Sequence, residues 1–260
     1  MNALRIIDRP SPNFDARTRP VDLIVLHYTG MQSAEVALNR LTDTAPVAGK
    51  YPGPWQQPDV APDAPLSRVS SHYVVDEQGV VYRLVPEEHR AWHAGASSWE
   101  GEGDVNSRAI GIEIVNGGHD FGLPDFPDVQ IAAVITLVGE ILQRWALAPA
   151  RVVAHSDIAP ERKQDPGEKF PWKRLADAGV SIWPEPGTHR DYAEGDLVLR
   201  TQERLAAVGY AVSATGVIDG QTKVALAAFQ RRFRPSLIDG EPDDETQKLL
   251  GALSLQLRVV

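Results

Sequence analysis

The chain has 260 residues, 43% hydrophobic and 23% charged, with a formal net charge of −9 and no cysteine. This composition fits a soluble globular protein long enough for one α/β domain and a small second module. The missing Cys excludes disulfides, thiolate metal ligands and a thiol nucleophile, the acidic balance argues against a nucleic-acid partner, which requires clustered Lys and Arg, and no apolar run approaches the ~20 residues that span a bilayer.

The N-terminal stretch "MNALRIIDRPSPNFDARTRP" has no continuous apolar region and no small-residue cleavage site, so no secretory signal is expected. "VDLIVLHYTG" (21–30) reads as a buried strand with His27 at its C-terminal end. "SAEVALNRLTD" (33–43) reads as a helix with Ser33 as N-cap, and the Pro- and Gly-dense 44–66 as a long irregular loop. "HYVVDEQGVVYRLV" (72–85) is a hairpin signal, and "RAIGIEIVNGG" (108–118) a strand broken by glycines. "VQIAAVITLVGEILQRWAL" (129–147) has the spacing of a long, largely buried helix, and "RVVAH" (151–155) is a short strand that delivers His155 to the rigid loop "HSDIAPERKQDPG" (155–167). "FPWKRLADAG" (170–179) reads as a short helix. Strands alternate with helices, and the hairpin makes the sheet mixed: an α/β fold with a central mixed sheet flanked by helices.

Residues 1–180 are the expected first domain and 181–195, rich in Pro, Gly and charge, the linker. Residues 196–258 read as a three-helix module, with Leu199, Gln202, Leu205 and Val208 on one face of the first helix and Gly209 as its stop, of a size that folds alone. No heptad and no long-period repeat is visible. The excess of acids lies before residue 196.

Three potential metal ligands, His27, His155 and Asp165, sit at strand ends or in the loop after one. Without Cys, His and carboxylate are the natural ligands for zinc, whose catalytic sites use three protein ligands and leave a position for water. Glu113, flanked by apolar residues, suits a general acid–base, because burial raises a carboxyl pKa. Lys163, two residues before Asp165, suits a developing oxyanion. Each has a plainer reading: a structural histidine, a solvent-facing Glu113, a solvated Lys163–Asp165 cluster. Spacing by itself leaves a metal hydrolase and a chance grouping both open.

The segments "IVLHYTG", "VSSHYVVDEQGVVYRLV", "RAWHAG", "NSRAIGIEIVN" and "VVAHSDIAPERKQDPG" resemble, in order, the motifs of the zinc-dependent N-acetylmuramoyl-L-alanine amidases of the type 2 (AmpD/AmiD) group, over roughly residues 15–180. The resemblance implies one Zn²⁺ held by His27, His155 and Asp165, with Glu113 and Lys163 catalytic. The implied reaction cleaves the amide between N-acetylmuramic acid, or its anhydro form, and the L-alanine of the peptidoglycan stem. By motif position it places Trp92, His93 and Asn106 near substrate and leaves His72 structural in the sheet. Related phage-type amidases carry a Tyr where this chain has Ser71. Members selective for a diaminopimelate stem are expected to place Arg in the loop after "WHAG"; here that loop holds Glu100, Glu102 and Asp104, acids that would repel a peptide carboxylate, while Arg68 matches a basic position and suits one.

The tail, through "LRTQERLAAVGY", "TGVIDGQTKVALAAFQRRF" and "DDETQKLLG", resembles the three-helix peptidoglycan-binding domain, the alternative being a helical buttress for the catalytic domain. The partners implied are peptidoglycan fragments (anhydro-muropeptides) and intact peptidoglycan, with no nucleic acid and no membrane. A wall-binding module points to the periplasm and the missing signal to the cytoplasm, where soluble muropeptides are recycled; the expectation is cytoplasmic. Two other functions fit the chemistry: a recognition protein that binds muropeptides without cutting, though this chain keeps all three candidate ligands, and a zinc peptidase acting within the stem.

Overall fold

The computed structural model describes residues 3–51, 60–185 and 197–258. In chain order its elements are β1 (Ile6–Asp8), β2 (Phe14–Ala16), β3 (Leu23–Tyr28), α1 (Ala34–Thr42), β4 (Tyr73–Val75), β5 (Val81–Arg83), β6 (His89–Ala91), α2 (Val105–Arg108), β7 (Ala109–Ile114), α3 (Asp128–Arg144), β8 (Val152–Ala154), α4 (His155–Ile158), α5 (Trp172–Asp177), α6 (Leu197–Val208), α7 (Gly220–Phe233) and α8 (Asp244–Arg258). Six strands form one sheet in the order β1-β5-β4-β7-β3-β8, and β2 pairs with β6 in a separate two-stranded sheet. Within the six, β4–β5 is the antiparallel hairpin expected at 72–85; β1–β5, β4–β7, β7–β3 and β3–β8 are parallel. The fold is therefore the expected mixed α/β sheet flanked by helices.

The strand pleat decides what each face does, since successive side chains point to opposite sides. Ile24 and Leu26 of β3 and Ile110, Ile112 and Ile114 of β7 face α3 and α5, packing on Ile131, Val134, Leu137, Val138, Ile141, Trp172 and Leu175. Leu23, Val25, Ala109 and Val153 face the other way and share a second core with Leu205, Phe229, Leu250 and Leu253 of the C-terminal helices. Burying each such large apolar side chain contributes roughly 1.5–3 kcal/mol, so the two faces together hold the central strands in register. His27 and Glu113 lie on the second face, side by side in the β3–β7 register.

Local signals explain most boundaries. The Ser33 hydroxyl caps α1 by accepting from the Val36 amide, and Asp76 Oδ1 closes the β4–β5 turn by accepting from the Gln78 and Val80 amides. The expected strand at 108–118 is β7 preceded by the single turn α2. The expected loop at 155–167 opens instead with the single turn α4, because Asp157 reaches back to the Ala154 amide and caps it. Of the irregular segment 44–66, the described part holds a 3-10 turn at Ala48–Lys50 and a bridge between Val47 and Pro65, and residues 52–59 lie outside the described residues. The expected linker at 181–195 lies outside them from 186 onward.

The three C-terminal helices carry a repeat that the sequence reading lacked. Gln202 of α6 accepts from the Thr215 and Gly216 amides and donates to Val217 O and the Thr222 hydroxyl. Gln230 of α7 does the same with the Asp239 and Gly240 amides, Glu241 O and the Thr246 hydroxyl. Both glutamines are fully buried. Each fixes the loop after its helix to the start of the next one, and such a pattern of paired polar atoms leaves no apolar period to read.

Candidate active site

His27 ends β3, Glu113 stands beside it on β7, and His155 opens α4 directly after β8. All three belong to C-terminal ends of adjacent parallel strands, where open α/β sheets place their sites. The turn after α4 returns Asp165 to them, tied by a hydrogen bond from the Ser156 amide to Asp165 O (2.9 Å), and the following Asp165–Pro166 peptide is cis.

The donor atoms converge. His27 Nδ1 lies 2.9 Å from His155 Nδ1 and 3.1 Å from Asp165 Oδ2, and His155 Nδ1 lies 2.9 Å from the same oxygen. Among the described residues this is the group with the chemistry to hold a metal ion, and all three residues are buried. The far nitrogen of each imidazole is engaged: His27 Nε2 is 3.0 Å from His93 Nδ1, and His155 Nε2 is 3.2 Å from Ala94 O. Such partners fix the ring orientation and leave Nδ1 as the donor. Two imidazoles and a carboxylate with no thiol fit a borderline cation such as zinc.

Electrostatics point the same way. Burial, then His155, lower the His27 imidazole from 6.5 to about 4 against the pull of Asp165, so it is neutral and able to ligate at pH 7. Burial alone would raise the Asp165 carboxyl, but His155 and His27 outweigh it and hold the group ionised far below the usual range. Glu113 goes the opposite way: burial, reinforced by Asp165 and opposed by Lys163, raises its carboxyl from 4.5 to about 8. Its Oε2 is sealed from solvent and has no hydrogen-bond partner among the described residues. Two carboxylates with pKa values pushed apart mark separate roles.

Other expected site residues fall in different places. Lys163 is half-buried, and its charge acts on both Glu113 and His27. Arg68 is exposed, with its guanidinium 5.1 Å over the ring of half-exposed Trp92 and Nε donating to Asn13 Oδ1 (2.8 Å). His93 is buried behind His27. Asn106 is buried too, its Oδ1 accepting from the His93 and Ala94 amides (3.0 and 2.8 Å), so it holds the loop that backs both imidazoles. His72 is buried and structural, accepting from the Gly111 amide at Nδ1, and the Ser71 hydroxyl donates to Tyr73 O. The acids after "WHAG" do not stand free as the sequence reading supposed: Glu100 pairs with Arg151, Glu102 with Arg19 and Asp104 with Arg90. Those ion pairs cross 14 to 83 positions of sequence, which local reading cannot see.

Beyond these, the fold brings in groups that sequence reading missed. Tyr28 Oη lies 2.9 Å from His119 Nδ1, and His119 Nε2 lies 3.0 Å from Glu168 Oε2. Asp157, inside the "HSD" segment, is fully buried against Tyr210 and Arg232 of the tail.

Two histidines and a carboxylate converging beside an acid with one buried, unpaired oxygen define the class: a hydrolase site with the chemistry to hold a metal. Residues 17–168 match the family model described as N-acetylmuramoyl-L-alanine amidase, and residues 194–250 match the putative peptidoglycan binding domain. The chain belongs to the N-acetylmuramoyl-L-alanine amidase family and is an enzyme of that kind. It is 39% identical to N-acetylmuramoyl-L-alanine amidase AmiD of Escherichia coli over 90% of this chain and 82% of that protein. It is 34% identical to 1,6-anhydro-N-acetylmuramyl-L-alanine amidase AmpD of Haemophilus influenzae over 63% of this chain and 86% of that one. Among solved structures, the E. coli AmiD complex with the substrate anhydro-N-acetylmuramic acid-L-Ala-D-gamma-Glu-L-Lys superposes with a TM-score of 0.73 at 34% identity, covering 91% and 89% of the two chains. AmpDh3 of Pseudomonas aeruginosa in complex with an anhydromuramic pentapeptide gives 0.72 at 35%, covering 91% and 92%. No helix among the described residues is long and apolar enough to cross a membrane.

Proposed function

We propose that this amidase uses one zinc ion, held by His27, His155 and Asp165, to hydrolyse the amide between anhydro-N-acetylmuramic acid and L-alanine in soluble muropeptides. The observation that carries the reading is Glu113: a carboxyl raised to about 8, with a sealed and unpartnered oxygen, beside three converging donors. A protein that only bound muropeptides would have no use for such a group. Bound zinc would supply an electrophile and a water of lowered pKa.

The chain supplies the rest. Glu113 takes the proton of the attacking water in its ionised form, which a bound cation would favour over the raised pKa of the metal-free site, and returns it to the leaving amine of L-alanine. Lys163 places a positive charge towards the developing oxyanion. His93 and Ala94 O orient His27 and His155, and Asn106 holds the loop bearing both partners. Trp92 and Arg68 form the exposed rim; a stacked, planar guanidinium there suits a stem-peptide carboxylate. Because Glu100, Glu102 and Asp104 are already paired with arginines, the loop after Ala94 repels such a carboxylate less than its composition implies. The AmiD and AmpDh3 complexes, with anhydromuramic peptides bound, support this substrate class.

Residues 1–180 form the catalytic unit in this reading and 196–258 a peptidoglycan-binding-like unit. A cytoplasmic site of action belongs to it as well, and a net charge of −9, which is not drawn to an acidic wall polymer, agrees with it. The test is mass spectrometry of products from a soluble anhydro-muropeptide and, in parallel, from intact sacculi, each with and without a zinc chelator. Free stem peptide plus intact sugar from the soluble substrate, abolished by chelation and restored by zinc, is the expected result. Equal release from sacculi would move the enzyme to the wall, and chelator-resistant cleavage would remove zinc from the mechanism.

A further inference from the structure

We propose that the C-terminal helices work inside the catalytic centre as a brace: Arg232 and Tyr210 hold Asp157, and through it the single turn that carries His155, which makes both of them positioning residues for the metal site. The inference rests on the metal-amidase reading above and concerns a role separate from any grip on the wall.

Asp157 lies two residues after His155 and is fully buried. Its Oδ2 accepts from the Ala154 amide (2.8 Å) and from Arg232 Nη1 (2.6 Å), and its Oδ1 accepts from the Tyr210 hydroxyl (2.7 Å). The Ala154 amide immediately precedes His155, so the same carboxylate ties the tail to the backbone of a metal donor. The Ser156 amide of this turn donates to Asp165 O, so its position also sets the third donor. α4 has four residues, and one turn of helix has too few hydrogen bonds to hold itself. Its geometry must come from its partners.

Those partners are themselves fixed. Arg232 Nη2 donates to Val152 O of β8 (2.9 Å), and its guanidinium lies 4.0 Å over the Trp172 ring. The neighbouring Arg231 comes within 3.7 Å of Glu168, three residues beyond Asp165, so α7 meets the metal loop on both sides. Before Tyr210, Gly209 fits against Trp99 so closely that a Cβ would stand 2.5 Å from the indole, and Gly209 O accepts from the Glu100 amide (2.8 Å). Arg232 and Asp157 form a closed-in ion pair, and losing one member strands the other charge away from water. Asp157, Tyr210 and Arg232 are themselves buried, away from the exposed surface a polymer would meet first. A tether needs exposed residues; this set is built inward, towards His155 and Asp165.

The experiment uses the full-length chain with Arg232→Met, Arg232→Lys and Tyr210→Phe. Zinc affinity is measured by chelator competition, and kcat and KM on a soluble anhydro-muropeptide, at a temperature where circular dichroism shows each protein folded. Arg232→Met and Tyr210→Phe are expected to weaken zinc binding about tenfold, the scale of lost outer partners at metal sites. They should also lower kcat while KM shifts less than about twofold. Arg232→Lys, which keeps the charge, recovers part of both. A folded Arg232→Met with wild-type zinc affinity and kcat overturns the brace. If Arg232→Met does not fold, Tyr210→Phe, which removes one hydroxyl, decides in the same way. Wild-type protein that binds no zinc would instead overturn the metal reading, a result seen before any variant is made.

Discussion

Glu113 is the one charged residue in a strand otherwise made of Ala, Ile and Gly, and the pleat turns it to the face that carries His27. Replacing it with Gln keeps the shape and removes the proton carrier. Glu113→Gln is expected to keep full zinc content, by metal analysis, while kcat falls by about 10²–10⁴; unchanged turnover would remove Glu113 from the mechanism. His72 shows the opposite use of burial. Burial, then Arg17, lower it from 6.5 to about 3, so the folded state keeps it neutral where the unfolded chain takes up a proton. The unfolded state therefore binds more protons between those values, and the stability His72 contributes is present above pH 6.5 and lost as pH falls towards 3. In metal-free protein, Tm should fall less steeply between pH 6.5 and 4 in His72→Asn, whose Oδ1 can still accept from the Gly111 amide, than in the wild type. Parallel slopes would show that His72 does not titrate on unfolding.

Strand β7 does more for the site than carry Glu113. A Cβ at Gly111 would lie 2.5 Å from the ring of His93, the partner of His27 Nε2. Gly111→Ala must push that ring away, an overpacking that costs roughly 1–3 kcal/mol. Chelator competition should show weaker zinc binding by about tenfold, because the support of His27 moves with His93. Wild-type affinity would mean that His93 does not orient its neighbour. The bareness of "IGIE" at residue 111 is thus a packing requirement of the metal site, set by a residue eighteen positions earlier in the chain.

Across the whole molecule, the second core joins Leu23, Val25, Ala109 and Val153 of the sheet to Leu205, Phe229, Leu250 and Leu253 of the tail. The Asp157–Arg232 pair and the Gly209–Trp99 contact lie along the same seam. Helices that complete another unit's core cannot unfold without exposing it, so scanning calorimetry at neutral pH is expected to give one cooperative transition. Two well-separated transitions would show that the seam carries little energy and that the tail folds by itself, as its length alone implied.

The sequence by itself determined the mixed α/β class, the hairpin and the strands ending in His27 and preceding His155, and its family motifs pointed to His27, His155, Asp165 and Glu113 as the site. The elements are readable because hydrophobic period and β-branching are local, and the site residues because they fall in separate motifs that keep the order of a known family. It did not reveal β1, β2 or β6, whose side chains are mostly not buried and so follow no apolar pattern. Nor did it reveal that Glu100, Glu102 and Asp104 are paired with arginines, that His93 and Asn106 stand behind His27 and His155, or that Asp157 answers to Tyr210 and Arg232. Those facts depend on groups up to 83 positions apart meeting in space. Only tertiary packing brings them within the few ångströms at which hydrogen bonds and buried charges act.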